Sequence, residues 1–346
     1  MMPLKTKKTI GIVLAISASI AWITVHCARK IYAENVHVEG YLYLPSGSTF
    51  ENLLEEVRPF LKNTEDFAWV ATQKKYTKQL KGGRYLLQKG MNSNELVNLL
   101  RSGKQAAVQV TFNNQHRLEL LAGRISKQIE ADSISLMRAF KDSLFLAKHG
   151  FAKKNAIGMY VPNTYEFLWN TTADGFRNRM YREYHKFWND RRIAKAKTQN
   201  LEVQEVIALA SIVQKETAQV SERPIVAGLY LNRYHKKWAL QADPTVIFAL
   251  QEKYGANFEV KRVLNKDLKI DSPYNTYKYT GIPPGPIAMP DISSIDAVLN
   301  PSKHRYMFMC ASTKTIGSHV FTKSLRQHNR NAKQYQRWLS SQGVHR

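Results

Sequence analysis

The chain begins with a long apolar run. Residues 9–28, TIGIVLAISASIAWITVHCA, carry no formal charge. At about 1.5 Å per residue, a helix of this length spans about 30 Å, which matches the hydrocarbon core of a bilayer. We therefore predict a transmembrane helix over residues 9–28. A cleaved signal peptide is the alternative, but its apolar core is typically ~7–15 residues long and is followed by a small-residue cleavage site, which this sequence lacks.

The charges on either side of this run predict its orientation. Three lysines precede it within residues 1–8, whereas Arg29 and Lys30 follow it. Because basic residues favour the cytoplasmic side, the pattern predicts a cytoplasmic tail of residues 1–8. The expected location is the inner (plasma) membrane, crossed once, with the bulk of the chain periplasmic or extracytoplasmic.

A strand–turn–helix pattern recurs between residues 36 and 110. In VHVEGYLYLPSGSTFENLLEEVRPFL, alternating apolar residues lead into a Pro-Ser-Gly turn, and Ser48 or Thr49 can cap the helix that follows. GRYLLQKGMNSNELVNLLRSG repeats the pattern, with Asn92 or Ser93 as the cap, and a weaker third copy follows it. Such units resemble glycan-binding LysM modules, although many α+β domains share the pattern.

The most informative helix of the C-terminal half begins after residue 200. Its apolar stripe runs through Val206, Leu209 and Val213, and the next position at helical spacing is Glu216. A carboxyl group in such a stripe is partly desolvated, which raises its pKa and suits a general acid at neutral pH. The alternative is that the helix has turned outward by Lys215, so that Glu216 ends the stripe in solvent.

Polar side chains also interrupt the segments that follow. SERPIVAGLYLNRY predicts a second helix, on which Asn232 shares a face with apolar residues. LQADPTVIFAL predicts a strand end and then a helix with Asp243 as N-cap. Residues 272–290, SPYNTYKYTGIPPGPIAMP, predict a rigid loop without helix or strand, whose Asn275 and Tyr277 offer groups suited to sugar rings.

Composition narrows the choice of chemistry. The 346 residues include 51 Lys and Arg against 27 Asp and Glu, a formal net charge of +24, which implies an anionic partner. The two cysteines exclude a disulfide framework and a four-cysteine zinc site, and the sequence contains no P-loop or zinc-ligand spacing. We therefore predict neither a metal nor a cofactor.

The basic stretch at residues 177–192, RNRMYREYHKFWNDRR, raises the question of nucleic acid. Its apolar residues recur at helical spacing, which favours an amphipathic helix with a solvated basic face. A chain that lies largely outside the plasma membrane has little access to DNA. The charge is therefore expected to face anionic lipid or an acidic wall polymer, and no nucleic-acid partner is predicted.

Several ordered motifs together resemble a known family. ALASIVQKET, SERPIVAGLYLNR, LQADPTV, SPYNTYKYTGIPPGPI and GSHVF are similar to segments of the MltG/YceG family of endolytic murein transglycosylases, and the resemblance extends over most of residues 36–340. It implies an α+β fold with an N-terminal transmembrane helix, a small LysM-like strand–turn–helix subdomain at 36–110 and a mixed α/β YceG-like catalytic domain at 111–340.

The resemblance also implies a catalytic residue. The family's catalytic glutamate lies in a Glu-Lys-Glu-[Thr/Ala] motif, which reads Gln214-Lys215-Glu216-Thr217 here, so Glu216 is the expected catalytic residue. Gln214 departs from the family pattern, as do Ile157-Gly158, where the family usually has Glu-Gly, and Asn163, where it usually has Asp. These last two bear on substrate contacts in that segment.

The implied activity is cleavage of the bond between N-acetylmuramic acid (MurNAc) and N-acetylglucosamine (GlcNAc) within nascent peptidoglycan strands. Glycosidases ordinarily use two carboxylates, whereas a lytic transglycosylase needs one, because the muramoyl C6 hydroxyl replaces water and closes a 1,6-anhydro ring. Peptidoglycan strands, the membrane and peptidoglycan polymerases are the implied partners, and His319 of GSHVF is a further candidate polar contact. The residues expected to position the sugar are Asn232, Gln241, Asp243, Thr245, Asn275 and Tyr277.

Two other functions remain open from the sequence. A membrane-anchored peptidoglycan-binding scaffold would use the LysM-like units for affinity and would not cleave the strand. An extracytoplasmic nucleic-acid binder would rest on the charge alone, and its affinity would fall steeply with salt.

Overall fold

A computed structural model describes residues 4–260 and 262–341. The first three residues of the predicted cytoplasmic tail lie outside this range. The chain divides into two compact units. The first comprises the residues up to Val110 together with two short segments, Gln128–Ala131 and Glu166–Thr172, and the second contains the rest of the chain.

Helix α1 (Leu4–Tyr32) contains the apolar run. Its Ile10–Tyr32 portion has a mean hydropathy of 2.0 and is long and apolar enough to cross a membrane, which is compatible with a single-pass anchor. The end of α1 is attached to the first unit, where Ile31 packs against the core and the Lys30 ammonium lies 3.7 Å from an Asp66 carboxylate oxygen.

The first unit is built from the predicted strand–turn–helix copies. Strands β1 and β2 pair antiparallel, with Gly40 opposite Leu87 and Leu44 opposite Gly83. Thr49 and Asn92 are the helix caps, each in a capping box, and these two predicted caps are thereby confirmed. The elements are β1 (Gly40–Leu44), α2 (Phe50–Val57), α3 (Thr64–Gln73), β2 (Gly83–Leu87) and α4 (Ser93–Ser102).

The third copy has the predicted strand and helix but a different strand partner. Strand β3 (Val108–Phe112) pairs with β4 (Asn163–Phe167), not with β1 or β2. It is followed by α5 (Leu118–Ile125). Two strands of the C-terminal region, β5 (Phe308–Ala311) and β6 (His319–Thr322), form a further antiparallel pair.

The second unit is mainly helical. Its central helix α10 contacts both α11 and α13, and eight consecutive residues of α10, Val206–Val213, are buried. The remaining helices are α6 (Ser133–Phe140), α7 (Ser143–Lys148), α8 (Ala173–Phe187), α9 (Asp190–Thr198), α10 (Val203–Glu216), α11 (Arg223–His235), α12 (Asp243–Tyr254), α13 (Ile292–Leu299) and α14 (Leu325–Ser341). Single 3-10 turns occur at Arg58–Phe60, Ala156–Met159, Val220–Glu222 and Asp267–Lys269.

Three local predictions are wrong. The basic amphipathic stretch is two helices, because the Asn189 side chain caps a new helix after α8 has ended. Leu240–Ala242, predicted as a strand end, belongs to no strand, and Gln241 in its middle has a left-handed backbone. Asp243 is the first residue of α12 and not its cap, a position that Ala242 occupies. The predicted loop at 272–290 contains neither helix nor strand, as expected.

Candidate active site

A cavity of about 430 Å³ opens in the second unit beside the end of α10. Its polar wall contains Glu216, Tyr230 and Arg233 from two successive helices, and Asp243 from the start of α12. Strand β5 supplies an opposite, less polar wall through Phe308–Ala311. We refer to this space as the first cavity.

The burial of α10 places Glu216 at the first cavity. Val206, Leu209 and Val213 are completely buried, and Glu216 is the last residue of the same helix. The next residue, Thr217, is extended, so the stripe stops at Glu216 and does not continue to Val220, which is 58% exposed. The Glu216 side chain is therefore partly buried at the inner edge of the cavity and not in open solvent.

The environment of Glu216 favours its neutral form. Burial is the main cause and raises the pKa of the carboxyl to about 7, and the negative charge of Asp243 acts in the same direction. The hydroxyl of Tyr230 donates a hydrogen bond of 2.7 Å to Glu216 Oε1 and opposes the shift, as does the positive charge of Arg233. The predicted desolvation of Glu216 is thus confirmed, and the carboxyl can hold a proton near neutral pH.

Tyr230 and Arg233 hold this environment in place. Tyr230 is 1% exposed, and burial raises the pKa of its phenol well above the usual value, so the hydroxyl remains a donor. Arg233 donates from Nε to the Met307 carbonyl oxygen at 2.8 Å and from Nη1 to the Leu240 carbonyl oxygen at 2.5 Å. The guanidinium therefore ties together the chain segments that lead into α12 and into β5.

Three of the six residues expected to position sugar line the first cavity: Gln241, Asp243 and Tyr277. The Tyr277 hydroxyl donates a 2.5 Å hydrogen bond to Asp243 Oδ1. Gln241 has a left-handed backbone with φ 51°, which costs a non-glycine residue energy, and its N–H is bonded to the Thr276 carbonyl oxygen. The loop at 272–290 therefore supplies one side chain to the cavity and supports another.

The other three expected residues have polar atoms bonded to protein groups behind the wall. Asn232 Nδ2 donates to the carbonyl oxygens of His304 and Tyr306, at 3.0 Å each. The Thr245 hydroxyl is completely buried and donates to the Ala242 carbonyl oxygen. Asn275 is also completely buried, and its Nδ2 donates to two loop carbonyl oxygens. Asn232, Thr245 and Asn275 therefore hold the segments that form the wall.

His319 also lines the first cavity and is oriented by a carboxylate. Its Nδ1 is 2.9 Å from Glu222 Oε2, and its backbone N–H donates to Glu222 Oε1 at 2.8 Å. The Thr217 hydroxyl also donates to Glu222 Oε2. Because a carboxylate accepts at Nδ1, this ring nitrogen carries a proton, and Nε2 is the ring nitrogen that is left for a further partner.

Sequence reasoning did not identify Tyr230 or Arg233 as site residues. The signal that could have found them is their i, i+3 spacing on α11, which puts two hydrogen-bonding groups on one face of a largely buried helix. No comparable pattern in the sequence indicated that β5 would line the cavity. Strand β5 comes about 90 residues after Glu216 in the chain, and its cavity-lining residues are ordinary apolar ones.

The residues at the positions that depart from the family motifs make defined local contacts. Gln214 donates from Nε2 to Asp291 Oδ2 at 2.9 Å, and its Oε1 accepts from the Ser294 hydroxyl at 2.6 Å, so it needs both a donor and an acceptor. Ile157, where the family usually has Glu, is an apolar residue only 8% exposed, and Gly158 after it is buried against α10, where a Cβ would lie 2.8 Å from Ile207 Cγ2. Asn163, at the start of β4, accepts from the Thr164 backbone N–H.

No group of three or more His, Cys, Asp or Glu side chains within residues 4–260 and 262–341 is arranged to hold a metal ion. The two cysteines, Cys27 and Cys310, are both free.

Comparisons with known proteins agree on one family. Residues 42–334 match the model of the YceG-like family. The endolytic murein transglycosylase of Bacillus subtilis (strain 168) is 30% identical over 310 residues, which are 84% of this chain and 83% of that protein. The endolytic murein transglycosylase of Streptococcus pneumoniae serotype 2 (strain D39) is 26% identical over 84% of this chain and 57% of its own length.

A solved structure shows the same relationship. The 2.6 Å crystal structure of a YceG-like protein from Listeria monocytogenes superimposes with a TM-score of 0.56 at 26% identity, covering 84% of this chain and 98% of that one. The family match spans both the first cavity and the strand–turn–helix region. The chain belongs to the YceG-like family.

Proposed function

We propose that the protein is an endolytic lytic transglycosylase, a lyase that cleaves the MurNAc–GlcNAc bond inside nascent peptidoglycan strands and leaves 1,6-anhydro-MurNAc ends. The observation that carries the proposal is Glu216, a carboxyl whose pKa is raised to about 7 at the wall of a cavity. The activity of the Bacillus and Streptococcus relatives, as their names give it, supports the same reaction class.

In the first step, the protonated Glu216 carboxyl donates its proton to the glycosidic oxygen between the two sugars. The bond from that oxygen to muramoyl C1 breaks, GlcNAc leaves as an alcohol, and positive charge develops at C1. The muramoyl N-acetyl group and the anionic Asp243 are suited to stabilise this charge. A pKa near the working pH is what a group needs to give up a proton and then take one back.

In the second step, the muramoyl C6 hydroxyl attacks C1 while the ionised Glu216 removes its proton. A 1,6-anhydro ring forms, Glu216 is protonated again and no water is consumed. The hydrogen bond from Tyr230 fixes one carboxylate oxygen, which leaves the other available for both proton transfers.

Asp243 is a second carboxylate in the first cavity, a feature that the one-carboxylate reasoning from sequence did not include. Two carboxylates are also the requirement for hydrolysis. One Asp243 oxygen accepts from Tyr277 at 2.5 Å. We assign Asp243 to raising the pKa of Glu216 and to charge stabilisation, and the products of the reaction distinguish this role from that of a hydrolytic base.

The contacts to sugar follow from the cavity wall. We propose that Gln241, Asp243 and Tyr277 contact the substrate directly. We also propose that His319 Nε2 accepts a hydrogen bond from a sugar hydroxyl. Asn232, Thr245 and Asn275, the other expected residues, act by fixing the wall through the hydrogen bonds already described.

The remainder of the chain would keep the enzyme beside its substrate. We propose residues 9–28 as a single-pass anchor with residues 1–8 in the cytoplasm, residues 36–110 as a LysM-like subdomain and 111–340 as the catalytic domain outside the inner (plasma) membrane. Support comes from the apolar helix α1 and the capped strand–turn–helix copies. Cleavage there would limit strand growth next to the peptidoglycan polymerases.

The test uses the full chain in detergent with uncrosslinked glycan strands, followed by mass spectrometry. Internal cuts whose two products together have the mass of the substrate, one with a 1,6-anhydro end, are expected from wild type. Since acid–base catalysis typically contributes ~10²–10⁴-fold, Glu216→Gln should lose at least about 100-fold in rate while still binding strands. Glu55→Gln, which removes an exposed carboxylate of the first unit, is the matched control.

The other outcomes have distinct meanings. Products that gain the mass of one water would show hydrolysis and would contradict the lyase assignment. Strand binding without any cleavage, by protein with a cooperative thermal transition, would favour the peptidoglycan-binding scaffold.

A further inference from the structure

A second cavity, of about 820 Å³, lies in the same unit and takes no part in the mechanism above. Four cationic side chains and two carboxylates contribute to its wall. The cations are Arg117, Lys141, Lys153 and Lys154, and the carboxylates are Glu119 and Glu252.

The cations of the second cavity are only partly neutralised. Lys141 Nζ pairs with Glu119 Oε1 at 2.8 Å. Among the described residues, no carboxylate lies within ion-pair distance of the exposed Lys153 and Lys154 ammonium groups. Arg117 Nη2 is buried and has no hydrogen-bond partner within the described chain, which is costly unless a ligand supplies one.

A histidine of the same wall contacts a further cation, Lys215. His116 Nδ1 lies 2.6 Å from Lys215 Nζ. Burial and the charges of Lys215 and Arg117 lower the pKa of His116, so the imidazole is neutral and accepts from Lys215. The field of the wall therefore favours an anion.

The second cavity adjoins the first through shared elements. Lys215, which contacts His116, directly precedes Glu216 on α10. Helix α12 begins at Asp243 in the first cavity and presents Phe248 to the second, about 7–8 Å further along at ~1.5 Å per residue. The loop at 272–290 likewise supplies a tyrosine to each. Helix α12 and the loop at 272–290 therefore each contribute residues to both cavities.

The wall of the second cavity is also substantially apolar. The rings of Phe248 and Tyr274 pack with centroids 4.6 Å apart, and Leu118, Ile157 and Pro286 complete an apolar surface. A bare phosphate needs converging polar donors. A wall with cations at one part and apolar side chains at another suits a short peptide with small apolar residues and free carboxylates.

We propose that the second cavity binds the carboxylate-bearing stem peptide attached to the muramoyl residues of the strand that the first cavity cleaves. This inference rests on the proposed function, because it takes the peptidoglycan strand as substrate. It makes the second cavity a specificity site for strands that still carry their peptides.

The experiment compares two substrates with the full-length protein in detergent: glycan strands with intact stem peptides, and the same strands stripped of them by an amidase. Wild type should show a KM about tenfold lower on the peptide-bearing strands. The double variant Lys153→Gln/Lys154→Gln should lose most of that difference while its kcat on stripped strands is unchanged, since each ion contact contributes up to about fivefold in affinity. Lys148→Gln/Lys197→Gln removes two exposed charges of the same unit outside the cavity and is the matched control.

Each outcome is decisive. Equal KM values for the two substrates with wild type would overturn the inference while leaving the lyase activity established. An equal rise in KM on both substrates in the double variant would mean that the cavity recognises the sugar chain and would also overturn it. Absence of cleavage of either substrate by wild type would instead refute the proposed function.

Discussion

The alkaline limb of the pH–rate profile should report the titration of Glu216, and two neighbours should move it in opposite directions. The raised pKa, from 4.5 to about 7, corresponds to about 3 kcal/mol in favour of the neutral carboxyl at 1.36 kcal/mol per unit. At pH 7 about half of the enzyme then has a protonated Glu216, against about 0.3% with an ordinary pKa. The acid form required for the first step is thus enriched by about 150-fold.

The contacts of Glu216 predict the direction in which each variant moves the alkaline limb. Asp243→Asn removes a negative charge that raises the Glu216 pKa, so the alkaline limb should move to lower pH. Tyr230→Phe removes the 2.7 Å hydrogen bond that stabilises the ionised form, so the limb should move to higher pH even though kcat falls through lost orientation. Typical interactions of this kind shift a pKa by about one unit, which at pH 8 changes the protonated fraction about ninefold for a lowered pKa and about fivefold for a raised one.

The measurement is kcat/KM against pH from about 5 to 9 on uncrosslinked strands, since this ratio reports the free enzyme. Tyr234→Phe is the control, because it removes a phenolic hydroxyl from the same helix without contact to Glu216, and its limb should coincide with that of wild type. Movement of the Asp243→Asn limb to higher pH, or of both limbs in one direction, would refute the assignment of Glu216 as the titrating acid.

Two further predictions concern the helices that hold the site, and both are measured as thermal unfolding of the full chain. Gln214→Glu replaces the donor that faces Asp291 Oδ2 with a negative charge and should destabilise the protein by about 1–3 kcal/mol at pH 8. The loss should be smaller at pH 5, because the introduced carboxyl, next to the Asp291 carboxylate, gains protons as the pH falls; an equal loss at both pH values would contradict this reason. Gly228→Ala should lower the melting temperature although alanine is the better helix former by about 1 kcal/mol, because the new Cβ would lie 2.5 Å from the Ser302 carbonyl oxygen; an unchanged or higher value would show that Ser302 moves freely.

Hydrophobic periodicity was sufficient for the elements whose stability is local. The copies containing Thr49 and Asn92 combine an alternating strand, a turn and a capping box, and each of these signals acts within a few residues. The predictions of element boundaries failed where the local sequence around one residue decides where a helix begins. Asn189 begins a new helix in the middle of a continuous amphipathic pattern, and Ala242, not Asp243, is the N-cap of α12.

Hydrophobic periodicity could not predict strand pairing, for a different reason. The third strand–turn–helix copy has the same alternation as the first two, yet β3 pairs with β4, a strand about 50 residues away. Alternation shows which side chains share a face but carries no information on which edge a strand joins. Sequence similarity between copies therefore predicted the elements of the third copy and not its partner.

The same distinction between local and long-range signals applies to the candidate site. That Glu216 is desolvated could be inferred from sequence, because burial of α10 follows from its own stripe and the carboxyl occupies a position in that stripe. What sets the balance between its charged and neutral forms depends on groups that only the fold brings together: Tyr230 from the next helix and Asp243 from the one after. Because these two residues shift the Glu216 pKa in opposite directions, the apolar stripe alone predicts a raised pKa but not its value. A pKa near 7 distinguishes a carboxyl that can donate a proton and take it back from one that is merely buried.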